Sequence, residues 1–541
     1  MGNPHGGRAG SQQRAEWTEF EFLGLGGKMG RNQKTEIIEK QVRDRVTGEI
    51  RTARFHADHG RPTTRRDFLA SGALGFVGYM MTPSVLSLLT GSKAYAQTSD
   101  TCVVPDAGLP LFCTVNLSGG ASLSSNYIPL GIAGTSGRDP ISTYTALGLG
   151  AGNAFFQDAT RSQSLFQGVR MSGVRNAAAG TPGATAGFFW RGVYERTSTA
   201  TIDRTSLIAI CVNTNDDTSQ NQLDASGLVA AAGRSGELLP NLGTNGNTGT
   251  GVNNRAAHID PPAPLIVSGI ADIVNSLRPV GVLSTNLSEP RRRKLFELVN
   301  SLSGTQARYI ASPNSATGQV LSKLVECATG KNVELASRSP VVDPNGDTVN
   351  GGSGVMTAFA ATANSTAHAQ AAMVYNGLLG NASTVGFDLG GYDYHGSGRA
   401  NQNNQDQAAG RIVGSVLESA RVMNRPVFIY VTTDGSVGSG SDTFGADFNS
   451  DRGLGGMSYC IAYDPTARPS VKSDRFGYQV GHYTNGQGAA TDASTPVPNA
   501  ERAAAAAFAN YLAFAKQRTL LDRVLPGYFE TRQLDEVIRF E

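Results

Sequence analysis

The chain is short of charge and of strong metal-binding motifs. Of its 541 residues only 17 % are Asp, Glu, Lys or Arg, and 7 % are aromatic. So few charges, with 66 glycines and 40 % hydrophobic residues, describe a globular protein rich in turns. A coiled coil and a mostly disordered chain are both excluded by that balance. Of five cysteines none stands in a Cys-x-x-Cys pair, which argues against a structural zinc site or an iron–sulfur cluster. No Gly-x-Gly-x-x-Gly lies between a strand and a helix, and no glycine-rich stretch has phosphate-loop spacing. The net charge is only +2, and even that is unevenly placed. Residues 1–66 carry 13 Lys/Arg against 8 Asp/Glu, whereas residues 97–541 carry 32 against 35. A near-neutral bulk excludes nucleic acid as the main partner.

The basic leader has a specific form. Thr64-Arg65-Arg66-Asp67-Phe68-Leu69 reads as a twin-arginine export motif. An uncharged apolar stretch runs from Phe68 to Ser92, then come Lys93 and the small-x-small sequence Ala94-Tyr95-Ala96. The expected layout is an extension over 1–63 that is poorly ordered, a twin-arginine signal peptide over 64–96, and a folded domain over 97–541. Export places the mature protein in the periplasm or outside the cell, with the twin-arginine translocase as its partner in transit. An uncleaved leader would instead anchor it in the inner membrane, since about 20 apolar residues span a bilayer. Proteins on this route cross the membrane folded, often with a cofactor or metal already loaded.

Within 97–541 one pattern recurs: a short apolar run rich in β-formers ends, and small or polar residues follow at once. Leu111–Leu117 leads into Ser118-Gly119-Gly120-Ala121-Ser122. Leu207–Val212 leads into Asn213, Thr384–Leu389 into Gly390-Gly391-Tyr392-Asp393-Tyr394-His395, and Val427–Val431 into Thr432-Thr433-Asp434. Uninterrupted runs of this kind suit strands buried on both faces of a parallel sheet. Helical stretches lie between them: residues 409–423 with an apolar stripe at Ile412, Val413, Val416, Leu417, Ala420 and Met423, residues 357–380, and residues 500–518. The expected fold is therefore α/β, a mostly parallel sheet with helices on both faces. Glycine-rich loops at 243–254 and 345–354 bound an expected helical and loop insertion over about 240–355 that includes 289–302. Cys113, Cys211 and Cys460 sit in apolar runs and read as core thiols, although Cys102 and Cys113 are close enough in sequence to pair.

Ligands of open α/β sheets sit beyond the carboxyl ends of the strands. Asp393, His395, Asp434, Ser122 and Ser219 all follow strand ends and are candidates to converge there. Taken singly, Asp and Ser also cap helices and make turns.

The order of these segments resembles the twin-arginine-exported domain-of-unknown-function family fifteen-oh-one, related to the alkaline phosphatase and sulfatase superfamily. The likeness runs from about residue 110 to the carboxyl terminus. Gly119-Gly120-Ala121-Ser122 with Pro129 compares with a GGxDGLN…P turn, Ser219-Gln220-Asn221 with a Ser-His pair, and Gly391–His395 with GWDTH. Thr433–Val437 compares with a T-SEFGR segment and Asn449–Gly453 with an NGTDHG-like loop. The resemblance implies an alkaline-phosphatase-like sheet whose strand ends hold metals beside a nucleophile, with Ser219 or Ser122 in that role. Two expected histidines are replaced, by Gln220 and Arg452, and the first-turn carboxylate by Ser122 or Ser125. Gln is a poor transition-metal ligand and Arg ligates none, so the two-metal constellation is incomplete. Asp393, His395, Asp434 and Asp451 would still hold one divalent ion, Ca²⁺, Mg²⁺ or Zn²⁺. Arg452 matches an anion, and His482 is a second imidazole source. Two functions follow: a non-catalytic or degenerate binding module of the cell envelope, or a metal-dependent phosphate- or sulfate-ester hydrolase. The Gly435–Gly440 stretch, with Ser436 and Ser439, has the look of an esterase motif but lacks a nucleophile elbow entering a helix.

Overall fold

The computed structural model describes residues 37–43, 50–56, 109–147, 187–214, 225–234, 239–244, 265–277 and 341–541. Short gaps interrupt the first and last of the long segments, notably at 395–396, 434, 436, 440–447 and 451–455, and a few positions between 288 and 297 are also described. The chain divides into two units, Met1–Phe76 and Val77–Glu541. In the first, Ile37–Arg43 pairs antiparallel with Ile50–His56, where a poorly ordered extension was expected. The leader over 64–96 lies outside the described residues, as does nearly all of 289–302. Among the described residues no helix is long and apolar enough to cross a membrane.

The second unit is built on an eight-stranded sheet. Its strands in chain order are β1 (Leu111–Leu117), β2 (Thr205–Cys211), β3 (Leu239–Gly243), β4 (Leu265–Ile266), β5 (Ala382–Leu389), β6 (Val427–Thr433), β7 (Met457–Tyr463) and β8 (Gln479–Val480). Across the sheet they run β8-β2-β7-β6-β1-β5-β3-β4. All pairings are parallel except those of β7, which is antiparallel to β6 and to β2. The expected mostly parallel α/β sheet is what forms. Two of its strands, β3 and β4, come from the stretch expected to be an insertion, so that stretch begins by widening the sheet.

Side chains alternate across the sheet as the two-residue strand period demands. Leu111, Cys113, Val115 and Leu117 of β1 face one core with Leu207, Ala209, Val427, Ile429 and Tyr459. Phe112, Ile208, Ile210, Phe428 and Tyr430 face the other. Helices α2 (Phe188–Arg196), α4 (Gly352–Ala358), α5 (Thr366–Leu379) and α6 (Arg399–Val422) cover the first face, after the single turn α1 (Leu123–Asn126). Helices α3 (Ala225–Ala231) and α7 (Ala500–Phe514) cover the second. Burial on both faces is why these strands carry no polar alternation, each large apolar side chain contributing roughly 1.5–3 kcal/mol.

Three helix boundaries differ from expectation, each for a local reason. The helix expected over 357–380 is two, because Ala360 and Asn364 take positive φ and Ser365 opens α5 by accepting the His368 N–H at 3.1 Å. The carboxyl-terminal helix stops at Phe514, with Lys516 at φ 58°. Helix α6 starts ten residues before the expected 409, with the polar run Asn401–Gln407 inside it. At the opposite edge of the sheet from the strand ends, buried Arg234 donates to the carbonyls of Ser383, Leu109 and Gly377, tying β5, the entry to β1 and α5 together. Cys113, Cys211 and Cys460 are free, buried thiols, and Cys102, the candidate partner of Cys113, lies outside the described residues.

Candidate functional site

The loops after β1, β5 and β6 meet at the carboxyl edge of the sheet. Strand β1 lies between β6 and β5 in parallel register, so their exits are neighbours. Ser118 donates its N–H to the Leu389 carbonyl at 3.0 Å, and Tyr392 donates back to the Ser118 carbonyl at 3.2 Å. Thr433 is the pivot on the other side: its hydroxyl donates to the Leu117 carbonyl at 2.8 Å and accepts the Ala121 N–H at 2.9 Å.

The glycines of the first turn are required by closeness. Gly119 has φ 111°, and a Cβ there would stand 2.5 Å from the Asp393 nitrogen and 2.7 Å from its Cβ. A Cβ on Gly435 would meet the Gly120 Cα at 3.1 Å. Only backbone without side chains lets three strand exits approach this closely. Asp393 thus lies exposed on the rim, against the first turn.

Ser122 does something else. It is fully buried, and its hydroxyl donates to Asp406 Oδ2 on α6 rather than facing the solvent-exposed rim. Asn126 Nδ2 donates to the same oxygen at 2.9 Å, and the Tyr394 hydroxyl to Oδ1 at 2.6 Å. Burial pushes the Asp406 carboxyl up, and the hydrogen bonds from Ser122, Tyr394 and Asn126 offset part of that rise. The Tyr394 phenol is pushed far up by its own burial and by the Asp406 carboxylate. Ser125 sits beside this network, donating to the Ser122 carbonyl at 2.8 Å.

A second network occupies the other face. Asn116 Nδ2 donates to Asp388 Oδ1 at 2.8 Å, and the Ser118 hydroxyl donates to the same oxygen at 2.6 Å. The Asn116 amide oxygen is buried with no hydrogen-bond partner.

Of the expected metal ligands, Asp393 is the one among the described residues. His395, Asp434 and Asp451 lie outside them, as do Ser219, Gln220 and Arg452, although the described neighbours Tyr394, Thr433 and Ser450 carry the chain to within one residue of the three ligands. Among the described residues no group of three His, Cys, Asp or Glu side chains is close enough to hold an ion. Chemically, the four expected ligands would form an oxygen-rich set with one imidazole, suited to a hard or borderline divalent cation. His482 belongs elsewhere: it follows β8, is buried, and its Nε2 lies 3.3 Å from the Ser494 hydroxyl. Burial and then the Arg138 guanidinium hold its imidazole below the usual range. The sequence offered His482 as a second imidazole source for the strand-end site, and gave Asp406 no place there. One signal for Asp406 existed: an acidic residue inside an amide-rich run, Gln402–Gln407, directly ahead of an apolar helical stripe.

No protein-family model, no curated protein and no solved structure matches this chain.

Proposed function

We propose that the chain is an exported protein of the periplasm that uses an alkaline-phosphatase-like sheet as a binding module of the cell envelope, without ester hydrolysis. The observation that carries this reading is the place of Ser122. A nucleophilic hydroxyl must reach a substrate and pass its proton to a base as it attacks. The Ser122 hydroxyl is inside the protein, and its proton points at Asp406. The Gly-Gly turn, where the resembled family carries a carboxylate, here serves close packing against Asp393. The leader with Arg65-Arg66 supports the location, and the rim bearing Asp393 supports a ligand at the strand ends. The fold itself carries no activity, so the reading rests on the site.

A second reading is supported by Asp393: a single-metal phosphate- or sulfate-ester hydrolase, with Asp393, His395, Asp434 and Asp451 around a divalent ion and Ser219 as nucleophile. When bound, such an ion would neutralise ester oxyanion charge and lower the nucleophile's pKa. The test is metal content by mass spectrometry of the full chain and of Asp393→Ala/Asp434→Ala, with 4-nitrophenyl phosphate and sulfate as substrates in Ca²⁺, Mg²⁺ or Zn²⁺. No turnover in any metal is the expected result. Metal-dependent turnover lost in the double variant would overturn the non-catalytic reading. For the location, a chain with Arg65→Lys and Arg66→Lys should stay in the cytoplasm of an exporting host.

A further inference from the structure

The first half of α6 is out of character with the rest of that helix. From Ala409 onward the buried face is mainly apolar, with Val413, Val416 and Leu417 in the core and only the small hydroxyls of Ser415 and Ser419 among them, each bonded to a backbone carbonyl. Before it, the buried face is Gln402 and Asp406, both essentially without exposure. A helix can cover a sheet with leucine and alanine, and burying an amide and a carboxylate costs free energy unless every partner is supplied. Here the partners are supplied, and they come from the strand-end loops.

Asp406 takes Ser122 and Asn126 from the segment after β1, and Tyr394 from the loop after β5. The Gln405 carbonyl accepts the Tyr392 hydroxyl at 3.0 Å. Gln402 Nε2 donates to the Tyr394 carbonyl at 3.1 Å and to the Phe448 carbonyl at 2.9 Å, while its Oε1 accepts the Phe448 N–H at 2.9 Å. Arg399 lies over the Phe448 ring, 3.8 Å from its centroid. Tyr392 and Tyr394 bracket Asp393, and Phe448 stands three residues ahead of Asp451.

We infer that Gln402 and Asp406 are positioning residues that fasten three loops to one rigid helix and so set the shape of the rim. This rests on the rim being the binding site, and deepens it by naming what holds it. Neither side chain touches a ligand. They act through Ser122, Tyr394 and Phe448. Loops otherwise free to sample many conformations are held at side-chain anchors before any ligand arrives, which is how a rim is preorganised.

Hydrogen–deuterium exchange on the full chain tests this without needing a ligand, so its outcome is independent of whether the rim binds a metal. Asp406→Ala should raise exchange by roughly tenfold or more in peptides covering 118–127 and 390–394, since the hydrogen bonds that its carboxyl accepts from two loops are lost. Exchange in β7, residues 457–463, should stay as in wild type. Asp406→Asn, which keeps an acceptor of the same shape, should restore most of the protection. Gln402→Ala should act on 392–394 and 448–450 instead. Unchanged exchange in both loops of Asp406→Ala, or an equal rise in β7, overturns the inference, as does failure of Asp406→Asn to restore protection. If Asp406→Ala does not fold, Tyr394→Phe removes one donor and leaves the helix intact. It should loosen 390–394 alone, and no change there overturns the inference equally.

Discussion

Ser122 and Asp406 stand 284 positions apart in the chain and share one buried hydrogen bond, hydroxyl to carboxylate, beneath the strand ends. That single contact changes what Ser122 is. In sequence it occupies a place where a nucleophile or a carboxylate would be sought. In the fold it is the donor that helps keep a carboxylate inside the protein.

Removing that donor should cost stability. Ser122→Ala is expected to lower the unfolding free energy by about 1–3 kcal/mol, the penalty for leaving a buried acceptor short of a partner. Chemical denaturation measures it.

Asp406 gives stability a particular pH dependence. Its folded-state pKa is raised above the unfolded value, about 3.9 for an aspartate. Between those two values the folded chain binds the extra proton, so this residue's contribution falls as pH rises from near 4 to the raised value and is level beyond it. Asp474 and Asp347 are lowered and pull the opposite way, so the difference between wild type and Asp406→Asn is the quantity to follow. Wild-type stability relative to Asp406→Asn should decline from pH 4 upward. A difference that rises over that range would contradict the assignment.

Helices α2 and α6 touch through their backbones. A Cβ on Gly410 would collide with the Phe189 carbonyl oxygen, one on Gly192 with that of Gln407, and one on Gly414 would lie 2.6 Å from the Val193 carbonyl oxygen. Gly410→Ala should therefore push the helices apart and cost about 3 kcal/mol or more, although alanine is the better helix former. Thermal unfolding of this variant beside the solvent-facing control Asn401→Ala separates the clash from propensity.

Arg234 satisfies three carbonyls at the amino edge of the sheet, far from the rim. Arg234→Ala removes the guanidinium donor from all three, with the Gly377 carbonyl keeping the Gly380 N–H, and is expected to cost about 3 kcal/mol. Peptides around Ser383 and Gly377 should lose exchange protection first, while those at 390–394 change little.

The three described thiols should be inert in the native state. Burial raises Cys113, Cys211 and Cys460 far above the ordinary thiol range, so little thiolate is present at neutral pH. Labelling with a thiol-specific disulfide reagent should spare all three until denaturant is added, and then modify them.

Much of the sheet could be read directly. Leu111–Leu117 and Val427–Thr433 announce themselves as strands because they are buried on both faces and need no polar alternation. Strand β7 was harder: Met457–Tyr463 mixes Ser458 and Tyr459 into its run, and its antiparallel direction is set by where the chain comes from, which no local pattern records. The polar start of α6 was missed for a related reason. Gln402 and Asp406 look like solvent-facing residues, and partners 280 and more positions away, 46 positions ahead, and in the preceding loop at Tyr394 together make them interior.

By itself the sequence determined the class of fold, because short apolar runs separated by amphipathic helices have few ways to hide both faces of a sheet. It also determined that the rim would be crowded with glycine and small polar residues. Which of those residues face solvent and which face inward was decided by the tertiary structure alone. Asp393 and Ser122 follow neighbouring strands and look alike as candidates. Close passage of Gly119 beneath Asp393 leaves that carboxylate at the surface, whereas the buried carboxylate of Asp406 draws Ser122 inside.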